Sequence, residues 1–505
     1  MTTRRAVLAG AAAWLAPGAR AAEAPPVVAC PAGRFTGTRT GKVATFRGMR
    51  YGHAARFAAP VAEPPATLPV FAQRPGPACP QRGKRRPQDE NCLTLNVWTA
   101  AGANAGLPVI VWIHGGAYAF GSANDDVTDG TQLAARDDVV VVSVNHRLNA
   151  FGYLYLGGVD PDCGASANAG QLDLVLALRW VRANIAAFGG DPARVTLIGQ
   201  SGGGGKIATL LAMPSARGLF QRAVTMSGQQ VTVSNTERAT ERARAFMTAC
   251  GVTDVAALRG LPAERLVAAL DAPDPFERSP LYTGPVLDGV IIDRHPFSPD
   301  AAPGARSVTM MLGGTRDETR DFFDPVSTEM RELSWETLPD PLAAELPVPI
   351  PPSLVIETYR RHLPHASPAE VFYAATTDGR SWRPQIEEAE ALARAGTPAY
   401  VYQLDFASPT RPGRGAFHGL DIALLFGTFD ATDAGTGTGS AARALSREMQ
   451  DRIIAFAAHG SPGWPPYRPT QRATMIFDAH TQVVRDPRRW QRLLFAPYPY
   501  TQPGS

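Results

Sequence analysis

One serine, set between a strand-like run and a helix-like run, constrains this chain more than any other feature. Residues 195–198 are aliphatic or β-branched, the run Gly-Gln-Ser-Gly-Gly centred on Ser201 follows, and residues 206–212 have the composition of a helix. Such a turn admits only small residues beside the serine and raises its hydroxyl to where a substrate can reach it. Gly-x-Ser-x-Gly occurs often by chance, so the flanking strand and helix carry the inference. We predict that Ser201 is a nucleophile; the alternative is a plain glycine-rich loop.

The composition narrows the class of protein. The 505 residues are 45% hydrophobic and 19% charged, the balance of a globular enzyme. A formal net charge of +3 gives no electrostatic reason to expect a nucleic-acid partner. No segment reaches the roughly 18 uninterrupted apolar residues that a membrane span needs, so we expect none. The five cysteines have no metal-site spacing, and neither a metal nor a cofactor is implied.

The N-terminus has the pattern of a targeting segment. Paired arginines at positions 4 and 5 precede an apolar run at 6–15, and Ala-Arg-Ala follows at 19–21. A charged start, a short apolar stretch and an Ala-x-Ala site are typical of a signal peptide, and the arginine pair is typical of the twin-arginine route. We predict a signal peptide over residues 1–21 and an exported protein, periplasmic or secreted.

Short apolar runs alternate with helix-like segments along the rest of the chain. Alternation of this kind predicts a mostly parallel, doubly wound sheet covered on both faces, and the early strands, to about residue 100, are candidates for an antiparallel edge. Residues 235–300 and 320–397 interrupt the pattern and are predicted to be helical cap insertions in a single domain spanning 22–505. The apolar runs lie at residues 93–98, 109–113, 139–144, 195–198, 223–226, 308–312, 400–404 and 475–477.

A serine nucleophile needs a base, and the base needs an acid that orients it. On such a sheet the partners follow in the order Ser, acid, His, on loops at the carboxyl ends of strands. The run after residues 308–312 offers both Asp317 and Glu318, and position alone does not choose between them. The run after residues 400–404 offers His418 in a glycine-flanked loop, which suits a mobile imidazole.

A third element would hold the negative charge that develops on an attacked carbonyl. The run at 109–113 leads directly into His-Gly-Gly-Ala-Tyr at 114–118. Small residues after a strand let backbone N–H groups approach an oxyanion, and the lipase and esterase anion hole has this placement. The alternative is an ordinary tight turn. The glycines before Lys206 do not make a phosphate-binding loop, because the first glycine and the Ser/Thr of that motif are missing.

These features together resemble the type-B carboxylesterase family, which has the α/β-hydrolase fold. The resemblance extends over stretches at 46–51, 90–97, 145–152, 177–192 and 464–467. It implies Glu318 as the acid and His418 as the base, with Ser227 supporting the acid. It also implies oxyanion donors on the N–H groups of Gly116, Ala117 and Gly202, and a disulfide between Cys79 and Cys92.

The chain departs from the family next to the nucleophile. The family usually has Glu there, whereas this chain has Gln200. Without that carboxylate beside the imidazole, we expect a weaker preference for cationic substrates and a less elevated pKa of His418. The third small residue of the anion hole is Ala117 rather than glycine, and a methyl group is usually tolerated there.

The sequence therefore predicts a serine carboxylic ester hydrolase that uses a Ser201–His418–Glu318 triad and an acyl-enzyme on small to medium uncharged esters. Acyl transfer on the same site is a second possibility, favoured if the cap excludes water. A binding protein on a retired hydrolase scaffold is a third, which the presence of both the serine and the histidine disfavours. The sequence specifies neither the physiological ester nor the oligomeric state.

Overall fold

The computed structural model describes residues 24–83, 87–136 and 138–505. The signal peptide predicted over residues 1–21 lies outside the described residues, so the signal peptide and export stay predictions. The strands are β1 (Val27–Cys30), β2 (Gly33–Thr36), β3 (Thr38–Thr40), β4 (Val43–Arg50), β5 (Gly52–His53), β6 (Val61–Ala62), β7 (Val70–Phe71), β8 (Thr94–Thr99), β9 (Leu107–Ile113), β10 (Val140–Val144), β11 (Gly190–Gln200), β12 (Arg222–Met226), β13 (Thr309–Thr315), β14 (Ala399–Leu404), β15 (Ala473–Phe477) and β16 (Gln482–Arg485).

Helices connect most of the later strands. The α-helices are α1 (Thr131–Ala134), α2 (Asn149–Tyr153), α3 (Ala169–Asn184), α4 (Gly202–Leu211), α5 (Thr236–Cys250), α6 (Val255–Arg259), α7 (Ala263–Ala269), α8 (Thr328–Arg331), α9 (Pro339–Glu345), α10 (Pro352–His362), α11 (Pro368–Thr377), α12 (Arg383–Arg394), α13 (Leu420–Phe426), α14 (Ser440–His459) and α15 (Arg489–Phe495). Short 3-10 turns lie at Asp126–Thr128, Pro161–Cys163, Ser166–Asn168, Ile185–Phe188, Pro214–Ala216, Ala305–Ser307 and Glu318–Arg320, and Asp378–Trp382 is a π-helical turn.

One large sheet organises the fold. Among the described residues it has eleven strands in the order β16-β15-β14-β13-β12-β11-β9-β10-β8-β4-β3. The seven strands from β15 to β10 in this order pair in parallel. The strands beyond them, β8, β4 and β3 on one side and β16 on the other, pair antiparallel. The predicted α/β-hydrolase sheet and its antiparallel early edge are confirmed.

Both faces of this sheet are buried. In β9, Val109, Val111 and Ile113 contribute to one hydrophobic cluster while Ile110 and Trp112 contribute to another. Successive side chains of a strand point to opposite faces, so a strand between two helical layers is apolar at every position. That is why the central strands have continuous apolar sequences. The carboxyl ends of the seven parallel strands meet at one edge, where loops from distant parts of the chain converge.

The two predicted insertions leave this sheet at β12 and β13. The segment 235–300 contains α5, α6, α7 and irregular chain, and the segment 320–397 contains α8 to α12. The second segment has a small core of its own, which includes Leu338, Val355 and Phe372. No helix among the described residues combines the length and apolarity needed to cross a bilayer.

A buried ion pair ties the loop after β10 to α3. Arg147 bonds Asp173 through two nitrogens, at 2.9 and 2.7 Å, and the two side chains are 3% and 0% exposed. The main-chain N–H of Arg147 also donates to Asp173, at 3.0 Å. The two opposite charges offset each other, and the guanidinium also donates to main-chain oxygens. Removing either partner would leave an unpaired charge in the core.

The disulfide that the resemblance implied is not formed. Cys79 and Cys92 are free, buried thiols in this structure. The two thiols are hydrogen-bonded neighbours. This hydrogen bond, and to a lesser extent burial, holds the pKa of Cys92 well above its ordinary value. The Cys79 sulfur also accepts from the N–H of Leu148 at 3.3 Å. The two thiols therefore lie next to each other in the core without a covalent link.

Candidate active site

Ser201 lies at the apex of the turn between β11 and α4. Its backbone has φ 54° and ψ −126°, a conformation that non-glycine residues rarely adopt and that stores strain. Two main-chain bonds hold it there: the N–H of Ser201 donates to Met226 O at 2.7 Å, and the N–H of Gly205 donates to Ser201 O at 3.1 Å. The predicted strand, turn and helix are all present.

The residues that follow Ser201 must be glycine, because backbone atoms of a neighbouring loop and strand lie too close to admit a side chain. A Cβ on Gly202 would lie 2.1 Å from the carbonyl oxygen of Ala117, and one on Gly203 would lie 2.1 Å from that of Ile113. Real Cβ atoms do not come so close to other atoms. The first turn of α4 is therefore packed directly on the end of β9 and on the loop that follows it.

That loop carries the predicted oxyanion donors. Gly116 and Ala117 both have positive φ, 85° and 50°. A Cβ on Gly116 would lie 2.1 Å from Phe120 O, so glycine is needed there, whereas Ala117 adopts the left-handed conformation despite its methyl group. Gly202 and Ala117 line one cavity, with Gly116 next to them in the loop. The three predicted donor residues are thus adjacent in space.

Glu318 and His418 form a buried pair behind the serine. The Oε2 atom of Glu318 makes a short contact with Nδ1 of His418. Its Oε1 atom accepts from the Ser227 hydroxyl at 2.6 Å and from the N–H of Thr315 at 2.7 Å. Burial would raise the pKa of Glu318, but His418, Ser227 and the Thr315 amide outweigh it and the pKa is lowered. Glu318 is therefore ionised at neutral pH.

The structure distinguishes the two candidate acids. Asp317 does not contact His418; its carboxylate accepts from the N–H of Ala416 at 2.9 Å and pairs with Arg316 at 3.1 Å. The N–H of Asp317 in turn donates to Ala416 O at 2.9 Å. Asp317 thus fastens the loop before His418, while Glu318 contacts the imidazole. Sequence analysis had weighed Asp317 only as an acid.

His418 is held on both sides. Burial opposes its charged form, but the Glu318 carboxylate, aided by Asp321 and Asp421, outweighs burial and raises the pKa of His418. On the other side of the ring, the Gln200 amide nitrogen lies 2.9 Å from Nε2. Because Nδ1 faces a carboxylate, the neutral ring carries its proton on Nδ1, and its Nε2 lone pair accepts from the Gln200 amide.

Gln200 therefore occupies the place at His418 that a serine hydroxyl takes in a triad. Ser201 and His418 line the same cavity, but no hydrogen bond joins their side chains in the part of the chain that is described. The contact of Gln200 was missed in the sequence, where this residue was considered only as a missing charge. Its position directly before the serine was the available signal.

The cavity around these groups is lined mainly by small, aromatic and amide residues. Its volume is about 170 Å³. Phe322 lies against the His418 ring, with centroids 4.8 Å apart, and the Arg380 guanidinium lies 5.1 Å from the Phe322 ring centre. Arg380 comes from the π-helical turn and pairs with Glu345 at 3.2 Å. The lining residues are Ala117, Tyr118, Ser201, Gly202, Gly205, Ser227, Gly228, Gln229, Gln230, Tyr282, Phe322, Arg380, Ser381, His418, Tyr500, Gln502 and Pro503.

Two buried carboxyl groups near the site were also missed. Asp421, three residues after His418, accepts from the Tyr402 hydroxyl at 2.9 Å, and burial together with the charge of Glu318 raises its pKa to about 6. Glu388 lies in α12 and accepts from the N–H of Gln230 at 2.8 Å. Burial raises the pKa of Glu388 to about 8. Neither residue type signals burial in a sequence.

A larger cavity, of about 440 Å³, lies between α12 and α15. None of the predicted site residues lines it, and its charged groups are in ion pairs, as Arg472 is with Glu390 at 2.6 Å. Among the described residues no group of three or more His, Cys, Asp or Glu side chains could hold a metal ion. The predicted catalytic residues gather at the cavity of Ser201.

A strained serine, a carboxylate-bound histidine and a loop of small residues at the carboxyl edge of a parallel sheet define an α/β-hydrolase. The family model described as the carboxylesterase family matches residues 24–495. The chain belongs to the carboxylesterase family, as the resemblance implied, and it is a serine carboxylesterase.

Relatives are similar to this chain over most of their length. The para-nitrobenzyl esterase of Bacillus subtilis is 34% identical over 92% of this chain and 97% of its own. The phenmedipham hydrolase of Pseudarthrobacter oxydans is 34% identical over 79% and 81%. A crystal structure of the Geobacillus stearothermophilus carboxylesterase superposes with a TM-score of 0.83 at 31% identity, covering 93% of this chain and 99% of that one.

Proposed function

We propose that the protein hydrolyses small to medium uncharged carboxylic esters through a covalent acyl-enzyme on Ser201. The observation that carries the proposal is the ionised Glu318 paired with His418 beside the cavity that also contains the strained Ser201. A serine hydroxyl is a weak nucleophile, and a base oriented by a buried carboxylate is what it needs.

In acylation, Ser201 Oγ bonds to the ester carbonyl carbon while Nε2 of His418 takes the hydroxyl proton. The bond to the alcohol oxygen then breaks, and His418 gives its proton to that leaving oxygen. In deacylation, water attacks the acyl carbon and gives a proton to His418, which returns it to Oγ as the acyl bond breaks. Glu318 holds Nδ1–H and offsets the charge that the ring gains.

The Gln200 amide must move away from His418 before acylation can begin. This amide occupies the Nε2 lone pair at 2.9 Å, and the Ser201 hydroxyl has to replace it before a proton can be transferred. One donor replaces another in this step, so the change is small. The carbonyl oxygen that becomes negative would accept from the N–H groups of Gly116, Ala117 and Gly202, which are adjacent in space.

The cavity wall supports the substrate class. No carboxylate is among its described lining residues, and Arg380 contributes a positive charge that Glu345 offsets only in part, from outside the lining. Both features disfavour esters that carry an ammonium group. The volume of about 170 Å³ is below the roughly 300–1,000 Å³ that is common for drug-sized ligands, which supports small to medium substrates.

The test is a series of p-nitrophenyl esters of increasing acyl length, with an organophosphate to titrate the reactive serine. The Ser201→Ala variant should lose roughly four decades of kcat or more and take up no organophosphate. The exposed Ser461, changed to Ala, is the matched control and should behave as wild type. Turnover by Ser201→Ala at the wild-type rate, or an organophosphate adduct on another residue, would refute the proposal.

Substrate charge is tested with a choline ester and its uncharged dimethylbutyl isostere, which differ only in the central nitrogen or carbon. We expect a higher kcat/KM for the uncharged ester. Equal or better hydrolysis of the choline ester would contradict the assignment of the substrate class while leaving the triad intact. Added alcohol in the same assay separates hydrolysis from acyl transfer, since a transferase would form the new ester.

A further inference from the structure

A buried lysine lies directly behind the anion hole. Lys206 is in the second turn of α4, where its neighbours in the helix are glycine, alanine, threonine or aliphatic residues, and it is 0% exposed. Its Nζ atom donates to the carbonyl oxygen of Ala117 at 2.6 Å and to that of His114 at 3.3 Å. One ammonium group therefore joins the two ends of the segment 114–117, which carries two of the predicted oxyanion donors.

No carboxylate among the described residues forms an ion pair with this lysine. The titratable groups around it are the His114 ring at the end of β9, the His146 ring stacked on it with centroids 4.7 Å apart, and Tyr118, whose ring centre lies 5.4 Å from Nζ. Burial lowers the pKa of Lys206 to about 7. Burying an unpaired ammonium is costly, and such groups concentrate at functional sites.

The contacts of Lys206 complete the fixation of the loop. The Gly115 carbonyl is held by Nδ1 of His114 at 2.9 Å, and the Gly116 carbonyl accepts from two later main-chain N–H groups at 3.1 Å. With Lys206 on the remaining two, all four carbonyls of residues 114–117 have donors. In a trans peptide the C=O of one residue points opposite to the N–H of the next, so the held carbonyls of Gly115 and Gly116 set the directions of the N–H groups of Gly116 and Ala117. Lys206 holds the peptide on either side of these two, through the carbonyls of His114 and Ala117.

We propose that Lys206 is a positioning residue for the oxyanion hole: its Nζ donors hold both ends of the segment 114–117, and its protonated form places a positive charge behind the N–H donors. The inference rests on the proposed function, because it assigns the loop to the oxyanion. Substrate binding involves a neutral carbonyl, whereas the transition state carries a developing negative charge. Lys206 should therefore act on kcat far more than on KM.

The test replaces Lys206 by Met, which has similar length and no charge, and by Gln, which keeps an N–H donor. With p-nitrophenyl butyrate, Lys206→Met should lower kcat about tenfold to a hundredfold, with KM within about twofold. Lys206→Gln should recover part of that loss. A trifluoromethyl ketone, which forms an oxyanion adduct with the serine, should bind Lys206→Met more weakly by the same factor as kcat falls.

Thermal unfolding separates positioning from a structural role. Lys206→Met removes a buried charge but also leaves the carbonyls of His114 and Ala117 without this donor, so the two effects offset each other and its melting temperature should change little. The exposed Lys42→Met is the matched control and should keep wild-type kinetics. A folded Lys206→Met with kcat and ketone affinity within about twofold of wild type overturns the inference, and so does failure of both Lys206 variants to fold. An inactive wild-type protein would instead refute the proposed function.

Discussion

Replacing Gln200 by Glu should move the pH dependence of the reaction. The Gln200 amide lies 2.9 Å from Nε2 of His418, and Gln200 is 5% exposed, so a carboxylate there would lie beside the imidazolium with little screening. At about 4 Å and an effective dielectric of about 20, two opposite charges attract by about 4 kcal/mol. Desolvation of the new carboxylate offsets much of this, leaving about 1.5–3 kcal/mol, or one to two pKa units for His418.

The direction in which the pH profile moves follows from the role of His418 as a base. Catalysis needs the neutral ring, so a higher pKa moves the acid limb of kcat/KM to higher pH. At pH 6 the variant should be about tenfold to a hundredfold slower than wild type, because each pKa unit reduces the neutral fraction about tenfold. Well above both pKa values, the two proteins should differ little.

The assay is kcat/KM for p-nitrophenyl butyrate between pH 5 and 9, read at the isosbestic wavelength of the product. Gln200→Met is the matched control, since it removes the amide without adding charge, and its acid limb should move less than that of Gln200→Glu. An acid limb of Gln200→Glu that coincides with wild type would refute the reasoning, because it would mean that residue 200 does not contact His418 in the working enzyme.

Three further changes test the packing and the buried charges. Gly203→Ala places a Cβ 2.1 Å from a main-chain oxygen of β9, so kcat should fall about a hundredfold. Gly205→Ala is the control: the atoms nearest its Cβ are side-chain ends at 3.1 Å or more, and kcat should stay within about tenfold of wild type. Steady-state kinetics of both variants test this difference. Asp173→Asn strands the Arg147 charge in the core and should lower the free energy of unfolding by about 3–5 kcal/mol in urea titrations, and an unchanged midpoint would contradict this. Burial raises the pKa of Glu388 in the folded protein to about 8, so between about pH 4.5 and 8 the folded state keeps a proton that the unfolded state has lost, and stability falls as pH rises. Glu388→Gln should therefore have a higher melting temperature than wild type at pH 9 but not at pH 4.5. Equal differences in melting temperature at the two pH values would refute this prediction.

Most of the fold was predictable because the central strands are apolar on both faces. The eight predicted runs all coincide with strands of the large sheet, with ends that differ by a few residues. Parallel strands bring their carboxyl ends to one edge, so the loops after β9, β11, β13 and β14 were expected to meet. The order Ser, acid, His along the chain then limited the choice of partners.

The remaining features depend on side-chain directions that a sequence does not specify. Asp317 and Glu318 are neighbours in one loop, yet one binds the main chain of Ala416 and the other the imidazole. The contact of Gln200 with His418 joins residues 218 positions apart. Lys206 was visible as a rare lysine in an apolar helix, but only the packing of α4 on the loop after β9 reveals what its ammonium holds.

The close packing around Gly203 divides the positions around the active site into those that tolerate substitution and those that do not. A side chain there would collide with the backbone of β9, so the support of the nucleophile tolerates almost no change. Phe322 and Arg380, by contrast, belong to the inserted segment, and substituting them leaves the sheet untouched. Libraries that diversify Arg380 should therefore alter substrate scope while the support of the nucleophile stays intact, whereas changes at Phe322 also alter the surroundings of the His418 ring.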